Sequence, residues 1–146
     1  MSRVLVVEDE STSQTIFRNA VQRLGHEAIV CGNGMEAMMM LLDERSFDVL
    51  IVDVILPGMD GRYLVRRVRT HTCLRDVPII MTSGVVGPKE IGNLLDMGVT
   101  MFISKPVALK MLEMYIVQCL NHRSSTSGKD FRTGLEHLTG CRSRSA

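Results

Sequence analysis

The sequence lacks an excess of charge of either sign. Its 17 basic and 16 acidic side chains leave a formal charge of +1, so no overall field directs it to nucleic acid or to a membrane surface. It also lacks a long apolar run near its start. MSRVLVVEDE reaches acids after a few apolar residues, too few for a signal peptide's apolar region and far too few to span a bilayer. The expectation is a cytoplasmic protein that does not enter a membrane. Cys31, Cys73, Cys119 and Cys141 form no CxxC pair, which argues against a zinc knuckle or disulfide framework and for buried or incidental thiols. At 146 residues the chain can build one domain with a core of its own.

What is present is an alternation. Val4 to Val7 and Val49 to Val52 are unbroken apolar runs that end on acids, as suits strands covered on both faces of a parallel sheet. Between them, Ser11 and Gln14 read as a capping box for a helix whose Ile16, Phe17, Ala20, Val21 and Leu24 repeat at helical spacing before Gly25. Glu27 to Cys31 reads as a strand and Met35 to Asp43 as a helix. A helix follows from about Gly61 to Thr70. The next strand runs from Val77 to Thr82, with Pro78 near its start, where a missing amide donor is tolerated. Pro88 suits the first turn of a helix ending near Gly98. Thr100 to Ile103 is the last strand, and Val107 to Leu120 the last helix, with Leu109, Leu112, Ile116 and Leu120 on one stripe. Five strands each followed by a helix predict a flavodoxin-like α/β sandwich with a parallel sheet in the order 2-1-3-4-5.

That order makes strands 1 and 3 neighbours and brings Glu8, Asp9 and Asp53 to one edge. Three carboxylates so close call for a cation or a base, and oxygen ligands at an exposed edge favour Mg2+. Lys105, held beside Pro106 at the end of the last strand, supplies fixed positive charge. Thr82, Ser83 and Gly84 end strand 4 with hydroxyls and space. With metal on one side and lysine and hydroxyl on the other, Asp53 reads as a carboxylate nucleophile for a phosphoryl group. Taken singly, an acid after a strand is most often a turn residue or helix cap; the coincidence of five residues reverses that weighting.

These segments resemble one family. VLVVEDE, VDVILPGMDG, PIIMTSG and FISKP, in this order and at these strand ends, are similar to the receiver domains of two-component response regulators over residues 3 to about 121. The resemblance implies Asp53 as phosphoacceptor, Glu8 and Asp9 as the acidic pair for Mg2+, and the Ile55 backbone carbonyl as a further metal ligand. It implies Ser83 as the switch hydroxyl, Phe102 as the aromatic whose rotamer reports activation, and Lys105 as the family lysine, usually joined to its proline by a cis bond. A sensor histidine kinase or phosphotransfer protein would be the phosphodonor. A downstream protein would be met by the face built from helix 4, strand 5 and helix 5, roughly Pro88 to Leu120, and a phosphorylation-dependent homodimer is a further implied partner.

Ile55 and Val85 are apolar where the family often carries polar groups beside the phosphoryl site, so its loss to water is expected to be slow. Arg62, Arg66, Arg67 and Arg69 read as a solvated helix face, and Met38, Met39 and Met40 as core filling with an exposed remainder. Residues 122–146 carry a local excess of basic groups and read as a flexible tail. That tail is too short for a DNA-binding output domain, so the expectation is a stand-alone receiver at 1–121 without direct DNA contact. Two alternatives stand beside it. One is a receiver-fold scaffold that signals without phosphorylation. The other is an aspartate-nucleophile phosphatase, which would need a second acid where Ile55 stands.

Overall fold

A computed structural model describes the backbone of residues 1–44, 46–84 and 87–127. Ten elements alternate along the chain: β1 (Arg3–Val7), α1 (Ser11–Arg23), β2 (Glu27–Cys31), α2 (Gly34–Glu44), β3 (Val49–Asp53), α3 (Gly61–Thr70), β4 (Ile79–Ser83), α4 (Pro88–Asp96), β5 (Met101–Ser104) and α5 (Leu109–Ser127). All neighbouring strands pair in parallel, and the sheet order is β2-β1-β3-β4-β5. The flavodoxin-like arrangement expected from the sequence is the one observed. β3 and β4 are buried along their whole length, whereas the edge strands β2 and β5 are only partly covered. Unbroken apolar runs therefore belong to the sheet's centre, where helices cover both faces.

Side-chain alternation divides the core in two. Leu5, Val7, Leu50, Val52, Ile79 and Met81 pack with buried residues of α2, α3 and α4, among them Leu41, Leu64, Val65 and Leu94. Val4, Val6, Val49, Ile51, Ile80 and Ile103 pack with Phe17, Ala20 and Val21 of α1 and with Leu112 and Ile116 of α5. Each fully buried aliphatic side chain stabilises the fold by roughly 1.5–3 kcal/mol.

Some local expectations are corrected. Ser11 does not cap α1 through a capping box: Glu10 is the N-cap residue, without a side-chain cap bond. Gln14 instead donates to the Glu8 carbonyl at 2.6 Å, so the glutamine braces the end of β1. β4 begins at Ile79, not Val77; the proline lacks a ladder donor, although its carbonyl still accepts from Leu50 at 2.9 Å. α5 continues to Ser127, so the boundary expected after residue 121 falls inside a helix. The expected tail from 128 onward lies outside the described residues, as does Val85. Cys31 and Cys119 are free and buried. Cys73, half-buried in the turn after α3, is disulfide-bonded, contrary to the expectation of unpaired thiols.

The arginines of α3 are not uniformly solvated. Arg69 donates to the carbonyls of Gly98, Arg75 and Val77 at 2.8, 3.0 and 2.6 Å, tying the end of α3 to the turn after α4. Gly98 adopts φ +103°, and a methyl there would meet Arg69 Nε at 3.0 Å. Met38 is buried, Met39 exposed and Met40 between them, so only part of that run fills the core. Among the described residues no helix is long and apolar enough to cross a membrane.

Candidate functional site

The carboxyl ends of β1 and β3 carry the acids to one edge. Val7 pairs with Val52 across these strands, and the Glu8 amide extends the pairing with β2 by donating to the Cys31 carbonyl at 3.0 Å. Glu8 is fully buried and Asp53 nearly so, while Asp9 is exposed. One carboxylate oxygen from each of the three lies within 4.8 Å of the others. Lys105 closes the cluster, its Nζ donating to Asp53 Oδ2 at 2.8 Å and to Glu8 Oε1 at 2.9 Å. The Lys105–Pro106 peptide is cis, as the resemblance implied.

The electrostatics follow from this packing. Burial pushes the Glu8 carboxyl above its ordinary 4.5; hydrogen bonds from Lys105 and the Glu10 amide oppose the shift, and the charge of Asp53 adds to it. Burial alone would lower Lys105, but its hydrogen bonds to Asp53 and Glu8 and the charges of both acids outweigh that and hold it above its usual value. An ammonium shared by two carboxylates is thereby kept charged.

The oxygen-only cluster fits a hard cation such as Mg2+. Glu8 is engaged through both oxygens, by Lys105 and by the Glu10 amide at 3.1 Å. Among the described residues, Asp53 Oδ1 accepts only a long bond of 3.3 Å from the Ile55 amide. Asp9 and Asp53 therefore offer the more available oxygens. The Ile55 backbone runs beside the carboxylate, and its side chain is 65% exposed.

The loop after β3 is anchored without using Asp53 as a helix cap. Asp60 caps α3, its Oδ1 accepting from the Arg62 amide at 2.7 Å, and the Gly61 amide donates to the Val54 carbonyl at 2.8 Å. The signal for this cap, an acid before a glycine and an amphipathic run, stands in the sequence. Arg62 also pairs with Glu90 in the first turn of α4.

On the next strand, Asp53 lies in register with Thr82, and Ser83 with Ser104. Ser83 is 2% exposed, at the end of the strand beside the acid cluster. Phe102 is registered with Met81 and packs, half-buried, against the core beneath α2, α3 and α4. The structure thus brings Glu8, Asp9, Asp53 and Lys105 into one cluster, sets Ser83 at the adjoining strand end, and holds Phe102 within the packing of the opposite face. A cavity of about 370 Å³ opens beside the cluster, with Glu10, Ser13, Ile16, Phe17, Lys105 and Val107 in its wall.

Comparison with known proteins agrees with this arrangement. Residues 4–117 match the family profile described as the response regulator receiver domain. The chain is 37% identical over 112 residues to a chemotaxis protein CheY homolog of Campylobacter jejuni, covering 76% of this chain and 86% of that protein. It is 36% identical over 112 residues to chemotaxis protein CheY1 of Helicobacter pylori, covering 76% and 90%. Among solved structures, the chemotaxis response regulator CheY4 of Vibrio cholerae superposes with a TM-score of 0.76 at 28% identity, over 82% of this chain and 99% of that one.

Proposed function

The chain belongs to the response regulator receiver domain family, whose members are signalling proteins of two-component systems, and from that premise we propose that it accepts a phosphoryl group on Asp53 from a histidine kinase or phosphotransfer protein. The observation that carries this reading is the Lys105 ammonium shared between Asp53 and Glu8, with Asp9 beside them. Such a cluster sets a nucleophilic carboxylate at the sheet's edge with one ammonium offsetting part of its charge and the excess left for a cation.

In the proposed step an oxygen of Asp53 attacks the phosphorus of a phosphohistidine. The new O–P bond forms as the P–N bond breaks, and the electron pair stays on the imidazole nitrogen. Lys105 is placed to follow the negative charge from the carboxylate to the phosphoryl oxygens. Ser83 supplies a hydroxyl from the adjoining strand. Mg2+, held by Asp9, Asp53 and the Ile55 carbonyl with Glu8 behind them, would neutralise charge on the phosphoryl oxygens. The cavity beside Lys105, walled partly by Ile16, Phe17 and Val107, offers an apolar seat for the donor's helix or loop. Ile55 brings no polar group to orient a water, so the acyl phosphate is long-lived and its hydrolysis slow.

Output follows from a shift between two arrangements. The phosphoryl group draws in Ser83, Phe102 turns inward, and the face of α4, β5 and α5 changes its affinity for a protein partner or a second copy of the chain. Exposed Leu95, Met111, Met114 and Val117 make that face partly apolar, as suits protein contact without direct DNA binding. The receiver unit extends through α5 to Ser127, and a cytoplasmic setting follows from the nature of the donor.

The test is incubation with acetyl phosphate and Mg2+, with Asp53→Asn as control. The wild type should gain one base-labile phosphoryl group and the variant none. A wild type that gains nothing would leave the scaffold reading in its place.

A further inference from the structure

β4 is buried from end to end, yet it contains a polar side chain one residue before Ser83. Thr82 has no exposed surface, and its Oγ1 has no hydrogen-bond partner among the described residues. Buried hydroxyls are ordinarily satisfied, because a buried atom without a partner forfeits the hydrogen bond it made in water. A valine of nearly the same shape would fill the strand position without that loss. The hydroxyl's surroundings are therefore informative.

Thr82 pairs in register with Asp53 on one side and with Ile103 on the other. Ile51, Ile80 and Ile103 share the core beneath α1 and α5. Two residues further along β3 and β4, Asp53 and Thr82 continue the same alternation and project on that same face of the sheet. The orphan hydroxyl thus stands one strand from the carboxylate and on its face of the sheet, with Lys105 two residues beyond Ile103. Lys105 already donates to Glu8 and Asp53, and nothing among the described residues takes the Thr82 proton.

We propose that Thr82 is a second hydroxyl ligand of the site, donating its hydrogen to an oxygen of the acyl phosphate formed on Asp53, alongside Ser83. The deeper assignment rests on the reading of Asp53 as phosphoacceptor. Before phosphorylation the hydroxyl is unsatisfied; afterwards it has an anionic acceptor. Its hydrogen bond exists only in the phosphorylated state, so it favours that state over the free one.

The experiment uses the full chain with beryllofluoride and Mg2+ as the phosphoryl mimic, titrated by calorimetry, together with thermal melting of the free protein. Thr82→Val should melt at or above the wild-type temperature, because an unsatisfied hydroxyl has been removed, and should bind the mimic about tenfold more weakly, as befits a lost bond to a charged acceptor. Thr82→Ser should retain most of the affinity. If the valine form fails to fold, Thr82→Ala against Thr82→Ser makes the same comparison. Equal affinity of wild type and a folded Thr82→Val would overturn the proposal. A wild type that does not bind the mimic at all would instead overturn the reading of Asp53, and this assignment with it.

Discussion

Gly61 decides how α3 meets the phosphoacceptor strand, and its substitution can be worked out from the structure. A methyl group at Gly61 would stand 2.0 Å from the Asp53 carbonyl oxygen and 3.0 Å from the Asp53 carbonyl carbon and the Val54 Cα. A comfortable contact is about 3.5 Å, so either the strand end or the start of α3 must move by about an ångström or more. That movement strains the 2.8 Å bond from the Gly61 amide to the Val54 carbonyl. Overpacking against backbone costs about 2–4 kcal/mol, which at this chain length lowers the melting temperature by about 6–12 °C. The displaced atoms carry Asp53, so phosphorylation by acetyl phosphate should also slow at least about tenfold at a temperature where the variant is folded. Gly92 in α4 is the internal control. A methyl there meets nothing within 4 Å, and Gly92→Ala should stabilise by about 1 kcal/mol through helix propensity. Calorimetric melting and the rate of phosphate incorporation read both effects. A Gly61→Ala protein that melts within about 2 °C of wild type and phosphorylates at its rate would refute the argument.

Other expectations follow from the same site. Ile55→Asn places a group beside Asp53 able to orient water, and loss of the phosphoryl group should quicken several-fold; an unchanged half-life contradicts the role given to Ile55. Mg2+ at about 10 mM, if bound with a Kd of about 1 mM, stabilises the fold by about 1.4 kcal/mol and raises the melting temperature by about 4 °C. Asp9→Asn should abolish most of that rise, and an equal rise in the variant would remove Asp9 from the metal site. The Glu8 carboxyl titrates above its ordinary 4.5 in the folded protein, so folding takes up a proton there. Its contribution is most favourable below 4.5 and is lost as pH rises through the raised folded value. In metal-free buffer, urea denaturation should show this loss in wild type but not in Glu8→Gln, and parallel pH profiles would count against the assignment.

The sheet and its order were legible because the strongest signals are collective. Two unbroken apolar runs ending in acids, VLVVEDE and VLIVD, belong to the adjacent central strands β1 and β3, and burial on both faces leaves few other ways to read them. The acid cluster was legible for the same reason: once β1 and β3 are neighbours, Glu8, Asp9 and Asp53 must meet. Less legible were features that depend on one side chain reaching a distant backbone. Gln14 is spaced for a capping box but turns to the Glu8 carbonyl, because the end of β1 offers an acceptor that the local sequence does not reveal. Arg69 reads as one more charge on a polar helix face, yet three carbonyls from two separate turns converge on it. Helical spacing says which face a residue occupies, not what the chain brings to that face. Thr82 entered the sequence reading only as one of several hydroxyls at a strand end; its isolation becomes visible only when its surface and partners are known.

The site's buried polar groups share a physical logic. Glu8 is buried at a cost that raises its own proton affinity, Thr82 Oγ1 is buried without a partner among the described residues, and Lys105 is divided between two acids. Replacing such groups with well-packed apolar ones would commonly stabilise a domain. Their effect on a two-state equilibrium differs from their effect on folding alone. A group that is poorly satisfied in the free arrangement and well satisfied around an added anion contributes its whole improvement to the switch. Lys105 can gain phosphoryl oxygens and Thr82 an acceptor, whereas a fully satisfied network would have nothing to gain. Thr82→Val therefore bears on more than one hydrogen bond: raised stability together with weakened binding is the pair of signs expected of a residue whose cost in the free state is the source of its contribution to the phosphorylated one.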